Sequence, residues 1–84
     1  MMQFKFTPND ACEKLFSPKG PAFGDSYTEA VIKCIGFDNF KHYVFFQNPF
    51  LKGSTTGLIW ITDPNGPGVV VIGQIDILQD VVSL

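Results

Sequence analysis

Arginine is absent from these 84 residues, histidine occurs once and cysteine twice. Each shortage removes a class of function. All six basic side chains are lysines and the formal net charge is -2. Without the guanidinium fork that reads guanine edges and clamps phosphates, sequence-specific nucleic-acid binding is disfavoured. Two cysteines, Cys12 and Cys34, fall short of a disulfide scaffold, so reduced and mostly buried thiols are expected. "MMQFKFTPND" has no apolar run of signal-peptide length and no window approaches the ~20 apolar residues of a membrane span. A cytoplasmic protein without membrane contact is the expectation. The lysines stop at Lys52, leaving Asp63, Asp76 and Asp80 as the charges of residues 53–84, where they serve to keep turns and strand edges solvated.

What is abundant is apolar surface. Hydrophobic residues make up 45% of the chain and nine of its aromatics are phenylalanine. So short a chain supports one core, hence a single domain over residues 1–84. A domain of this size leaves much apolar surface exposed, which makes a homodimer the default expectation.

Along the chain, "QFKFTP" alternates as a short edge strand, and "TPNDACEKLF" reads as a helix with Thr7 as N-cap, Pro8 at its first position and Cys12, Leu15 and Phe16 inward. "SPKGPAFGD" reads as a loop with Phe23 tucked beneath it. "DSYTEAVIKCIGF" fits two periods. As a helix it has Ser26 and Glu29 in capping-box spacing, Tyr27, Ala30, Val31 and Cys34 on one face, and Gly36 as terminator. As a strand it sets Ala30, Ile32 and Cys34 against Glu29 and Lys33, with β-branched Thr28, Val31 and Ile32. The strand is preferred, because "GFDNFKH" resembles a hairpin connection to a further strand. "KHYVFFQN", "GLIWITD" and "GVVVIGQIDIL" read as strands, the last two joined by a tight reversal at "DPNGPG", with a bulge or bend at Gly73. The expected fold is therefore mainly β, a small antiparallel, partly closed barrel of about five strands with one short N-terminal helix, similar in layout to SH3-like barrels. If residues 26–35 are helical, it becomes an α+β antiparallel sheet with two helices.

Chemistry-bearing groups are sparse. His42 with Cys34 and Asp38 would make a thiol site only if a hairpin returned His42 beside Cys34, and no cation is at hand to activate the thiol. Cys12, Cys34 and His42 lack the close ligand pair that starts a zinc site. "DPNGPGVVVIGQ" has acid and glycine at calcium-loop spacing, yet Pro67 sits at the fifth position and Gln74 replaces the bidentate glutamate. "KGSTTG" has the letters of a phosphate loop in the wrong order. No catalytic residue, metal or cofactor is assigned, and the protein is not expected to be an enzyme.

The functional expectation is a non-catalytic interaction module working through an apolar-aromatic surface, with a protein partner or a second copy of itself. "NFKHYVFFQNPF", residues 39–50, carries most of that surface: with Tyr43 and Phe45 opposite Val44 and Phe46, both faces of a strand are apolar and one needs covering. Phe50 and Trp60 extend the patch, giving candidate binding residues His42, Tyr43, Phe45, Phe50 and Trp60. Two rival readings are a small apolar ligand in the mouth of the sheet, oriented by His42, Tyr43 or Gln47, and a weak single-strand nucleic-acid platform on Tyr43, Phe45 and Trp60.

Overall fold

Alternation of apolar and polar side chains builds a four-stranded antiparallel sheet in the order β2-β1-β4-β3, from β1 (Gln3–Pro8), β2 (Ala22–Gly24), β3 (Thr56–Thr62) and β4 (Val69–Leu78). Among the described residues three helices accompany it: α1 (Asp10–Phe16), α2 (Tyr27–Ile35) and α3 (Phe37–Tyr43). The structure is a computed structural model and describes residues 3–18, 20–44, 49–50 and 52–78. The fold is thus α+β and the sheet is open, so the helical alternative for residues 26–35 is the correct one and the closed barrel is not formed.

Local signals explain α2. Ser26 Oγ accepts from the Glu29 amide at 3.1 Å, and the Glu29 carboxylate reaches back to accept from the Asp25 amide at 3.2 Å. Gly36, at φ 90°, ends the helix and starts α3 at once. Asn39 Nδ2 donates to the Ile35 carbonyl at 2.8 Å, so turn-type residues that suggested a hairpin instead satisfy a helix end. The strand expected over residues 41–48 is accordingly helix through Tyr43, followed by a single bridge between Val44 and Ile61. Residues 45–48 of that expectation lie outside the described residues.

Three smaller expectations also change. β1 lies inside the sheet, pairing β2 through Phe6↔Ala22 and β4 through Phe6↔Ile75, and is not an edge. Because it continues to Pro8, the cap of α1 moves from Thr7 to Asn9, whose Oδ1 accepts from the Cys12 amide at 3.0 Å. The stretch read as a loop contains β2, and Phe23 is exposed.

The β3–β4 hairpin forms as expected around "DPNGPG", closed by the Asp63 amide on the Gly68 carbonyl at 3.1 Å. Between Ile59↔Gly73 and Trp60↔Val71 the register shifts, leaving Ile72 as an extra residue. Ile72 and Gly73 are both buried, and the alternation of β4 reverses there: Val70 and Ile72 face inward on one side, Ile75 and Ile77 on the other. Gly73 is required because a Cβ there would collide with the Thr7 carbonyl and come within 2.7 Å of the Phe6 ring.

All three helices cover one face of the sheet. Phe6, Ile59, Ile61, Ile72 and Ile75 form a single core cluster with Cys12, Ala30, Val31, Cys34, Ile35, Phe40 and Val44. Among the described residues, no helix lies on the other face.

Candidate interaction surface

Cross-strand register fixes the composition of the helix-free face. One row holds Phe23, Lys5, Asp76 and Thr56 on successive strands; the next holds Thr7, Gln74 and Leu58. Beyond the end of β1, Trp60 stands opposite Val71 and Thr62 opposite Val69. Leu58 is 45%, Trp60 38% and Val69 49% exposed, whereas the alternating Ile59 and Ile61 on the same strand are buried. The bulge at Ile72 places Val69 and Val71 on this face; an unbroken alternation in β4 would turn them inward.

A polar group borders the patch. Thr56 Oγ1 donates to Asp76 Oδ1 at 2.9 Å, and Gln74 Nε2 donates to both carboxylate oxygens at 3.1 and 3.3 Å. Lys5 Nζ lies 5.8 Å from the Phe23 ring centroid. Beside the patch, Pro49, Thr56, Gly57, Leu58 and Trp60 line an open cleft of about 300 Å³. Gly57 permits this arrangement, since a Cβ there would collide with the Pro49 carbonyl oxygen where the Phe50↔Gly57 bridge draws the chain against β3.

The candidate residues from the sequence separate into distinct places. Trp60 stands on the helix-free face. Phe50 is half-buried on the helix side, its ring 6.0 Å from Phe4 and 6.3 Å from Tyr27. Tyr43, also half-buried, packs 5.8 Å from Phe16. His42 is exposed on α3 with Nδ1 2.9 Å from the Asp38 carbonyl oxygen, while Cys34 bonds Gly20, so the hypothetical thiol site is not assembled. Phe45 and Gln47 lie outside the described residues. Sequence reasoning passed over Leu58, Val69 and Val71. The signal for Leu58 was present in "GLIWIT", where Leu58 and Trp60 alternate with Ile59 and Ile61, so both faces are apolar.

Among the described residues, no helix is long and apolar enough to cross a membrane, and no group of three or more His, Cys, Asp or Glu side chains is placed to hold a metal ion. No protein-family model matches the chain, and comparison with curated proteins and with solved structures gives no match.

Proposed function

We propose that this chain is a non-catalytic interaction module that binds a protein partner, in the simplest case a second copy of itself, through Leu58, Trp60, Val69 and Val71. The observation that carries the reading is the concentration of exposed Leu58, Trp60 and Val69, with half-buried Val71 beside them, on the face of the β3–β4 hairpin where no helix lies among the described residues. Tryptophan contributes disproportionately to interfaces because a single ring buries roughly 150–250 Å² of surface. The border formed by Asp76, Thr56 and Gln74 supplies the polar rim that such a patch needs.

Sedimentation velocity on the wild-type chain and on Trp60→Ser tests it. The wild type is expected to associate with rising concentration, and the variant to remain monomeric with an undiminished melting temperature. A wild type that is monomeric at every concentration removes the second copy as partner. A variant that unfolds makes Trp60 a structural residue.

The cleft beside Trp60 favours a second reading, a small apolar ligand. Its size is at the low end of the roughly 300–1,000 Å³ of ligand pockets, and Thr56 offers a hydroxyl at its wall. A ligand screen that raises the melting temperature of the wild type but not of Trp60→Ser supports this use of the same wall.

A further inference from the structure

The reversal between β3 and β4 carries Asn65 and Gly66 at its tip, both exposed. The Gly66 amide donates to the Asp63 carbonyl at 3.5 Å, beyond the usual range of an N–H···O bond, so this nitrogen is loosely held. Asp63 Oδ1 accepts from the Asn65 backbone amide at 2.9 Å, and the Asn65 carboxamide has no hydrogen-bond partner among the described residues. Nothing crowds the Gly66 nitrogen from its own residue: a Cβ there would meet only Asp63 Oδ2, at 3.9 Å. The other asparagines are placed differently. Asn9 has both side-chain atoms engaged, Oδ1 by the Cys12 amide at 3.0 Å and Nδ2 on the Val71 carbonyl at 2.8 Å. Asn39 lies within α3 with Nδ2 on the Ile35 carbonyl at 2.8 Å, and the amide that follows it, that of Phe40, donates to the Gly36 carbonyl at 3.1 Å. Asn48 precedes Pro49, whose ring nitrogen has no N–H to lose.

We propose that Asn65 is a site of spontaneous deamidation in the folded protein, a modification that turns a neutral hairpin tip into an anionic one. Asparagine is a thermolabile residue, and its reaction needs an unhindered nitrogen in the next residue. The Gly66 nitrogen gives up its proton to solvent base and attacks Cγ of Asn65. The bond from Cγ to Nδ2 breaks, the side-chain nitrogen takes up a proton and leaves as ammonia, and a cyclic imide joins the two residues. Water then adds to either carbonyl of that ring and breaks its bond to the Gly66 nitrogen. Addition at Cγ gives aspartate; addition at the backbone carbonyl gives isoaspartate, whose main chain runs through Cγ and is longer by a methylene. Water is consumed and ammonia released, with no change of oxidation state. Either product sets a new carboxylate close to Asp63 and adds one negative charge to a formal net charge of -2. Isoaspartate also lengthens the reversal that the Asp63 amide closes on the Gly68 carbonyl, next to the Thr62↔Val69 pair. The tip therefore changes with the age of the molecule.

The experiment incubates the folded chain in mildly alkaline buffer below its melting temperature and follows it by charge separation, intact mass and peptide mapping. A parallel sample unfolded in guanidinium chloride supplies the rate of the open chain. The folded wild type is expected to gain one more acidic species, mapped to Asn65 as a mixture of aspartate and isoaspartate, with Asn9 and Asn39 intact over the same time. Asn65→Gln should yield no such species, and Gly66→Ala, for which the turn has room, should convert severalfold more slowly. A folded wild type that keeps Asn65 for as long as the unfolded chain needs to lose it overturns the proposal, because the turn then protects the site. Conversion of Asn9 or Asn39 as fast as Asn65, or of Gly66→Ala as fast as the wild type, overturns it too. Because the mapping is done on the wild type, it decides the matter even if a variant fails to fold.

Discussion

The ring of Phe6 rests against Gly73: Cε1 and Cζ lie 2.7 Å from where a Cβ would stand on the neighbouring strand. Phe6 is fully buried, and it can occupy the middle of the sheet only because β4 offers bare backbone at that point. The same glycine adjoins the extra residue Ile72, so one position serves both the core and the reversal of β4 that turns Val69 and Val71 to the helix-free face.

Gly73→Ala is therefore expected to lower stability by about 3 kcal/mol or more, through collision with both a ring and a backbone carbonyl. Gly66→Ala is the control, since a Cβ there meets only Asp63 Oδ2 at 3.9 Å. Urea midpoints of the two variants check it, and equal midpoints would refute the argument.

Ser26→Ala removes the side-chain acceptor at the start of α2 and should cost about 1 kcal/mol, roughly 4–8 °C in melting temperature. Ser26→Asp, which keeps an acceptor at the cap, should retain most of that stability. If both substitutions cost the same, the cap is not the cause.

Alkaline pH tests the buried thiols. Burial, reinforced by Cys34, pushes the Cys12 thiol from its ordinary 9.0 up to about 12. The unfolded chain therefore releases this proton first as pH rises. The contribution of Cys12 to stability is whole below pH 9.0 and is lost as pH climbs towards about 12. Stability of the wild type should fall over that window and that of Cys12→Ala should fall less steeply, as read from denaturant midpoints at successive pH values. Parallel profiles would count against it.

At low pH the sign is reversed. Lys33 at 3.2 Å and the Asp25 amide hold the Glu29 carboxyl below its ordinary 4.5. This contribution is present above pH 4.5 and disappears as pH falls through the lowered value. Glu29→Gln should flatten the acid limb of the stability curve; an unchanged acid limb would remove Glu29 from the explanation.

The sequence spoke clearly where a local rule decided the structure. "GLIWITD" and "GVVVIGQIDIL" alternate, "DPNGPG" permits little but a reversal, and the glycine at 73 signalled the irregularity that the register shift confirms. It misled where two periods competed. Thr28, Val31 and Ile32 argued for a strand, yet caps at both ends and the burial of Ala30, Val31, Cys34 and Ile35 at helical spacing outweigh that preference. Residues 36–43 failed for a related reason. Asp38 and Asn39 are turn formers, but here they occupy the first turn of α3, where Phe40 and Val44 at i, i+4 reach the core. Trp60 was identified as a candidate from its chemistry. Its neighbours on the exposed face were not, because which face of a strand is covered depends on where the helices settle, and that is a tertiary outcome.

The two margins of the sheet are guarded differently. β2 offers an approaching strand only Ala22–Gly24, and the outer side of β3 is engaged at both ends, by Val44 at Ile61 and by Phe50 at Gly57. Among the described residues, an intruding chain finds no long ladder to extend on either side, which works against fibrillar stacking. Contact through the side chains of the helix-free face is reversible, while edge pairing at these margins is denied a template.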